Sequence, residues 1–325
     1  MRCVVITPDA GLAIEDRPDP IPILDQVVVT VSGAGINRAD LLQRTGLYPA
    51  PTDVEADVPG LEFAGTVHAV GPEVTNLEIG DRVFGIVGGG AQSELVLTRA
   101  SLCARVPDNL DLVRAGGVPE AFFTAYDALV AQASLQPGET VCIHGVGSGV
   151  GTAALQLAKM MGATVVGTSR TPAKLELAQE LGLDYGVLVE PDIDGRAVAD
   201  AIVNAVGGID VTLDLLGGTY LSIDVRAAAS RGRIVLIGML AGTTAALLLG
   251  PTLNKRLTIA GTVLRNRRTK EKIALTAEVA RHVVPRFADG SLTPVIDALV
   301  PIDAVEDAYN LLDRGDTFGK LVLTP

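Results

Sequence analysis

Two textures of apolar patterning divide the chain. Up to about residue 117 the hydrophobic residues come in short, β-branched or alternating runs, at 3–7, 26–32, 63–70, 82–86 and 91–98. Turn signals separate them: Pro8-Asp9, the prolines at 18, 20 and 22, Pro49 and Pro51, Gly71-Pro72 and the glycines at 88–90. This spacing predicts short strands of a β-rich domain. One stretch breaks the pattern: 37–45 predicts a helix with Asn37 as its N-cap and Gly46 as its stop. After Pro107 the texture changes. An Ala-rich helix is predicted over 121–136, ending at Pro137-Gly138. Strand–helix alternation follows, with strands at 140–144, 164–168, 186–189, 211–216 and 233–237, and helices at 150–161, 172–181, near 195–206 and near 219–230. A strand at 257–263 closes the series. Such alternation predicts an α/β doubly wound parallel sheet. The tail predicts helices over 270–289 and near 303–313. Its terminal strand, 320–323, is expected to pair back into the N-terminal β domain. The expected division is 1–117 with 267–325 as one domain, and 118–266 as the other.

The stretch 139–162, ETVCIHGVGSGVGTAALQLAKMMG, is the centre of the second half. A β-branched strand runs into glycines at 145, 147, 149 and 151, and then into a helix. Glycine permits a tight turn and close approach of backbone to a ligand. The helix start offers free N–H groups and a positive dipole end to a phosphate. The strict pattern G-x-G-x-x-G is not met, because counting back from Gly151 lands on Ser148 and Val146. Gly147, Ser148, Gly149 and Val150 are the candidate phosphate contacts; Ser148 either donates to the pyrophosphate or simply fills a glycine position. Nucleotide folds that take NAD usually place an acid at the end of the second strand, for the ribose hydroxyls. Here that strand ends Thr168-Ser169-Arg170, with Ser169 18 residues past Gly151. Ser169, Arg170 and Lys174 offer a hydroxyl and two cations suited to a 2′-phosphate. Charge-assisted bonds contribute about 1.5–3 kcal/mol each, so two of them favour NADPH by about a hundredfold or more. Gly238-Met239-Leu240 also lies at a carboxyl strand end, which brings Met239 into the candidate cofactor set.

Composition narrows the partners. The chain has 325 residues, 48% hydrophobic, with aromatics at 3% and no Trp, so its core is expected to be mostly Ala, Val, Leu and Ile. The net charge of −12 argues against nucleic acid and anionic membranes, which both need basic patches. Cys3, Cys103 and Cys142 lie far apart and form no C-x-x-C pair. The apolar start is broken by Pro8 and is too short for a signal peptide, and no apolar run approaches a membrane span. A soluble cytoplasmic protein acting on a small molecule is the expectation.

Several motifs carry a resemblance. Gly60-Leu61-Glu62-Phe63-Ala64-Gly65, Val67, Val70-Gly71 and Gly80-Asp81-Arg82-Val83 resemble the N-terminal domain of medium-chain dehydrogenases/reductases. Asn37-Arg38-Ala39-Asp40-Leu41-Leu42-Gln43-Arg44, Gly46-Leu47-Tyr48-Pro49, Pro119-Glu120-Ala121-Phe122-Phe123-Thr124-Ala125 and Leu264-Arg265-Asn266-Arg267 are similar to the zinc-free quinone oxidoreductase branch, as is Ser148 within the glycine loop. The resemblance covers essentially the whole chain. It implies a GroES-like β-rich catalytic domain beside a Rossmann domain, and hydride transfer from NADPH to a quinone in the cleft between them. A 2-enoyl or enone reductase is the neighbouring alternative, and a nucleotide-binding module without catalysis is the rival from another class. Zinc alcohol dehydrogenases hold their metal with Cys and His; here Leu61 follows Gly60 and Asn37 precedes Arg38. With three scattered cysteines and histidines only at 68, 144 and 282, no tetrahedral zinc site is expected. The resemblance implies that Tyr48 lines the acceptor side of the nicotinamide, aligning a quinone or donating a proton. It implies Thr124 and the main chain at Leu264 as nicotinamide contacts. Val189 stands where the family often has a phosphate-pocket tyrosine. Asn37 is a candidate for bonding the substrate or a ribose as well as for capping its helix. The three histidines and Cys142 read as structural, and Arg265, Arg267, Arg268 and Lys270 read as a solvated basic run. The family also implies a homodimer, with 257–263 as the candidate edge strand.

Overall fold

A computed structural model describes residues 1–52, 54–190 and 194–325. The chain divides into two compact units, Met1–Phe123 with Leu264–Pro325, and Thr124–Val263. The seams fall within the helix Pro119–Tyr126 and shortly after the strand Thr258–Gly261. Among the described residues no helix is long and apolar enough to cross a membrane.

Thr124–Val263 holds a six-stranded sheet, all parallel. Its spatial order is Tyr185–Leu188, Thr164–Ser169, Thr140–His144, Ile209–Asp214, Ala228–Leu236, Thr258–Gly261. The chain starts in the middle, works outward to one edge, then returns and works outward to the other. The order therefore reverses between Thr140–His144 and Ile209–Asp214, and a doubly wound sheet binds ligands outside the carboxyl ends of its strands at such a switch. The helix Gly149–Met160 buries Ala153, Ala154, Leu155, Leu157 and Ala158. On the other helices the buried faces are equally aliphatic: Val198, Ala199, Ile202, Ile223 and Ala227 pack with Val166 and Ile209. Small side chains let helix and sheet approach closely in this aliphatic core.

The other unit is mostly antiparallel. Gln26–Ile36, the longest strand, pairs with Glu62–Val70 and Leu95–Arg99. Arg82–Ile86 and Cys103–Arg105 continue the sheet, and Arg2–Ile6 forms a separate hairpin with Leu12–Asp16. The C-terminal strand Lys320–Thr324 pairs antiparallel with the end of Gln26–Ile36, bringing Leu321 opposite Ile36. It also pairs in parallel with Ile296–Pro301, a strand the apolar pattern did not reveal because only alternate positions are half-buried.

Other differences have local causes. The helix expected over 270–289 is two helices, Thr269–His282 and Val284–Ala288. Pro285 has no N–H for the helical ladder and suits the first turn of a new helix. The helix expected over 121–136 is regular only over Pro119–Tyr126, then widens into a π-helical turn at Asp127–Gln132, where Ala133 N–H bonds back five residues to Ala128. Tyr220–Ala227 stops at Ala227, and its chain turns directly into Ala228–Leu236. The short helix Leu249–Lys255, containing Gly250 and Pro251, is absent from the apolar pattern.

Candidate functional site

Two polar constructions stand out, one in each unit. In the parallel-sheet unit the glycine loop joins the middle strand to its helix. Gly145 adopts φ +72°, which L side chains rarely adopt. The N–H groups of Gly145 and Val146 both donate to Thr168 C=O at 3.1 Å, so the loop is tied to the end of the neighbouring strand. Ser148 is the N-cap of Gly149–Met160: its Oγ accepts from Gly151 N–H at 3.1 Å, and its carbonyl accepts from Thr152 N–H at 2.8 Å. Those bonds take up the third and fourth helical donors. Gly149 and Val150 present the first two at the helix start, in the direction the dipole favours for an anion. A Cβ on Gly151 would lie 2.5 Å from Gly145 O and 2.7 Å from Val146 O, so only glycine lets the helix sit this close beneath the loop. This is a cradle that fits a phosphate, with Gly147, Ser148, Gly149 and Val150 forming its rim.

The second strand ends beside it. Ser169 is buried, and its Oγ accepts from Thr171 N–H at 3.1 Å. Arg170 is exposed and Lys174 half-buried. The cations therefore stand at the same sheet edge as the loop, and no carboxylate occupies the strand end. Val189 is buried and donates its N–H to Ser169 C=O at 2.9 Å, while Tyr185 is exposed on the edge strand. Met239, 63% exposed, lies on the loop after Ala228–Leu236. That loop is pinned to the preceding strand end, with Ile237 N–H on Asp214 C=O at 2.8 Å and Ala241 N–H on Leu216 C=O at 2.7 Å. Thr124 is buried in its helix.

Below the loop lies a group the sequence reading takes as merely structural. His144 ends the first strand and is fully buried. Its Nε2 donates to Asp224 Oδ1 at 2.7 Å, and its Nδ1 lies 2.9 Å from Thr168 Oγ1. Burial opposes the imidazolium, but Cys142 and Asp224 beside it outweigh burial and hold the His144 pKa well above its ordinary value. The contact fixes Thr168, and with it the strand end that the glycine loop leans on.

The other construction surrounds Asn37 and Tyr48. Asn37 precedes the helix Arg38–Arg44, and its N–H donates to Asp40 Oδ2 at 2.7 Å. Its carboxamide is engaged within the protein. Nδ2 donates to Glu62 Oε1 at 2.9 Å and to Gly35 C=O at 3.3 Å, and Oδ1 accepts from Lys320 at 2.7 Å. Lys320 also donates to Ile36 C=O at 2.7 Å and pairs with Glu62 Oε1 at 2.6 Å. Glu62 Oε2 accepts Glu120 N–H at 2.8 Å. Asp40 and Glu62 are fully buried and Lys320 is 6% exposed.

Arg265 corrects the expectation of a solvated basic run. It is 4% exposed. Nε donates to Gly88 C=O at 2.8 Å, Nη1 to Tyr48 C=O at 3.0 Å, and Nη2 to Gln43 Oε1 at 2.6 Å. The guanidinium carbon lies 5.0 Å from the centroid of the Tyr48 ring, a cation–π distance. Tyr48 is thus a half-buried ring fixed from behind by a buried cation. Leu264, beside Arg265, is itself buried, and its carbonyl accepts from Arg267 N–H at 3.1 Å. Glu120, Glu62, Asp40, Gln43, Lys320 and Arg265 are the site residues that sequence reasoning missed. One signal was available: Lys320 is a lone charge at the head of an otherwise apolar strand.

The carboxyls here are perturbed. Burial pushes Asp40 up to about 6 against the pull of Asn37 N–H and Lys320. Burial, then the charge of Glu62, pushes Glu120 up to about 8. Burial and the charge of Glu120 raise the Tyr48 phenol, with Arg265 opposing. Among the described residues no group of three or more His, Cys, Asp or Glu is arranged to hold a metal ion. Glu62 is engaged by Lys320, Asn37 and Glu120 N–H, and Asp40 by the N–H groups of Asn37 and Gly60.

Residues 24–108 match the alcohol dehydrogenase GroES-like domain, and 149–281 match the zinc-binding dehydrogenase domain. A quinone oxidoreductase of Lama guanicoe is 32% identical over 334 residues, covering 99% of this chain and 97% of that protein. Polyketide synthase GfsB of Streptomyces halstedii is 40% identical over 213 residues, which is 66% of this chain; the chain spans only 4% of that protein's length. Among solved structures, an alcohol dehydrogenase superfamily protein of Novosphingobium aromaticivorans is 31% identical with a TM-score of 0.87, covering 100% of this chain and 99% of that one.

Proposed function

Because the chain belongs to the quinone oxidoreductase-like branch of the medium-chain dehydrogenase/reductase family, an oxidoreductase family, we propose that it is an NADPH-dependent quinone reductase acting without zinc. The observation that carries the reading is the phosphate cradle at Gly147, Ser148, Gly149 and Val150, with Ser169-Arg170 rather than an acid at the adjoining strand end. Bound NADPH supplies the hydride. The rest is the work of the chain's own residues. Gly149 and Val150 N–H groups hold the pyrophosphate. Ser169, Arg170 and Lys174 select the 2′-phosphate, and Thr124, Met239 and Leu264 complete the nicotinamide contacts. Tyr48, fixed by Arg265, lines the acceptor side. Asn37 takes a positioning role, joining Glu62 to Lys320 rather than touching substrate. A homodimer through the edge strand Thr258–Gly261 is part of the proposal.

A quinone suits a site without a Lewis acid, because conjugation spreads the charge that hydride addition creates. An enone or 2-enoyl acceptor is the second reading, favoured by the match that carries the name of a polyketide synthase. A steady-state screen of NADPH and NADH against small quinones, ortho-quinones and enones tests both. Turnover of quinones with NADPH is the expected result. Turnover of enones alone moves the assignment to the second reading. A shift in NADPH fluorescence without turnover of any acceptor overturns catalysis and leaves a binding module.

A further inference from the structure

We propose that His144 and Asp224 are positioning residues of the phosphate cradle, and that a proton shared between the Asp224 and Asp214 carboxyls keeps the loops around it in place. The inference rests on the reading that this cradle takes the pyrophosphate of a dinucleotide. All the groups concerned belong to the parallel-sheet unit.

The bonds run from loop to loop across the carboxyl ends of the strands. Thr168 C=O accepts the N–H groups of Gly145 and Val146, the base of the glycine loop. Thr168 Oγ1 lies 2.9 Å from His144 Nδ1, and His144 Nε2 donates to Asp224 Oδ1 at 2.7 Å. The Asp224 carboxyl is in turn within hydrogen-bond reach of the Asp214 carboxyl. Asp214 Oδ1 accepts the N–H groups of Leu216 and Gly217, both at 2.8 Å. Its main-chain carbonyl accepts Ile237 N–H at 2.8 Å and Gly238 N–H at 3.3 Å. The turn held by its side chain is tight, with φ +65° at Gly217 and +56° at Gly218. Three loops that rim the switch point therefore depend on one chain of buried side chains. Burying ionisable groups is costly where apolar ones would serve the core, so a network of this kind calls for a role beyond packing.

One link of the chain cannot form between two anions. Asp224 Oδ2 and Asp214 Oδ2 are buried and receive no donor among the described residues. Ionised carboxylates offer each other only acceptors, and one proton makes a donor of one of them. An Asp224 O–H directed at Asp214 closes the chain, while Asp224 Oδ1 continues to accept from His144. The other groups facing Asp224 are few. Cys142 lies beside His144, its Sγ 4.0 Å from Nε2. Tyr220, one turn back on the same helix, sets its ring edge to face against His144 and feels the charge of Arg170. Lys255 donates to the Val225 and Arg226 carbonyls, and the helix Gly195–Val206 packs here with Val198, Ala199 and Ile202. Burial pushes Asp224 up to about 6, with His144 pulling it down and Asp214 pushing it further up. The shared proton is therefore held below about pH 6 and lost above it, when the two carboxylates repel and the loops they hold loosen.

The test compares two substitutions. Asp224→Asn mimics the protonated acid, because its Nδ2–H donates toward Asp214 while its Oδ1 still accepts from His144. Asp224→Leu does neither. The probe is ADP-ribose, whose pyrophosphate stays ionised from pH 5 to 8 and which carries no 2′-phosphate. In isothermal titration calorimetry the wild-type affinity should fall about tenfold between pH 5 and 8. Asp224→Asn should bind at both values as tightly as the wild type does at pH 5, and Asp224→Leu about tenfold more weakly at both. Infrared difference spectra of the unliganded proteins at pH 5 should contain one protonated carboxyl in the wild type that Asp224→Asn lacks. Where Asp224→Leu does not fold, the comparison of the wild type with Asp224→Asn carries the test. The proposal is overturned if Asp224→Asn follows the wild-type pH course, binds as weakly as Asp224→Leu, or shows the same carboxyl signal as the wild type. A wild type that binds no ADP-ribose at either pH overturns the reading of the cradle itself. Tight binding without pH dependence removes only the shared proton.

Discussion

Replacing Lys320 with Met should be among the most damaging single changes in the β-rich unit. The ammonium is 6% exposed and makes three bonds: Glu62 Oε1 at 2.6 Å, Ile36 C=O at 2.7 Å and Asn37 Oδ1 at 2.7 Å. Met matches the stem in length and volume, so no cavity arises. The loss is electrostatic. Glu62, fully buried, keeps only Asn37 Nδ2–H and Glu120 N–H as donors and becomes an uncompensated buried charge. Breaking a buried pair from one side costs about 3–5 kcal/mol. Removing the second charge as well, in Lys320→Met with Glu62→Gln, leaves a neutral amide with hydrogen-bonding capacity, and Ile36 C=O and Asn37 Oδ1 without the Lys320 donor, a residual cost of about 1–3 kcal/mol. The double variant should therefore be more stable than the single one by about 2 kcal/mol, a non-additivity expected of directly coupled groups. Urea unfolding at neutral pH, followed by far-ultraviolet circular dichroism and by tyrosine emission, measures all three proteins. The reasoning fails if Lys320→Met costs under about 1 kcal/mol, or if the double variant is no more stable than the single.

Three other outcomes are expected. Gly151→Val should abolish NADPH binding, because its Cβ would fall 2.5 Å from Gly145 O and displace the loop from its helix; fluorescence titration checks this, and Ser148→Ala, which removes a cap worth about 1 kcal/mol, should weaken binding far less. Arg170→Asp should erase the preference for NADPH, read as the ratio of kcat/KM for the two nicotinamides. Asp40 should make stability fall with rising pH. Its folded pKa of about 6 exceeds the ordinary 3.8, so the folded chain keeps a proton that the unfolded chain releases between those values. The accumulated loss is about 3 kcal/mol by about pH 6, and Asp40→Asn should flatten that slope in urea midpoints taken from pH 4 to 7.

The parallel sheet was legible because its information is local. Periods of 2 and 3.6, Pro172 at a helix start and glycines at the turns each specify a few neighbouring residues, and the series of them specifies the winding. What failed was also local in cause. Pro285 sits inside an apolar stretch that reads as one helix and divides it into Thr269–His282 and Val284–Ala288. Ile296–Pro301 is a half-buried edge strand whose neighbour, Lys320–Thr324, supplies the pairing that holds it. Leu249–Lys255 carries a glycine and a proline in its first turn and has little intrinsic helical character.

The site is harder to read than the fold because its groups meet only in three dimensions. Asn37 contacts Glu62, 25 positions away, and Lys320, 283 positions away. Arg265 stands in a basic run whose other members are half-buried or exposed, so sequence offers no reason to single it out. Once assembled, the cluster sets three carboxyls, Asp40, Glu62 and Glu120, among three cations, Lys320, Arg265 and Lys272. Burial, more than any imbalance of charge, pushes Asp40 up to about 6 and Glu120 up to about 8. The hydrogen bonds of the two buried carboxyls differ. Glu62 holds Lys320, Asn37 and Glu120 N–H, and Asp40 holds the N–H groups of Asn37 and Gly60. Glu120 is half-buried where the other two are fully buried. The bonds that brace Asn37, Glu62 and Lys320 thus join positions that no local pattern in the chain connects.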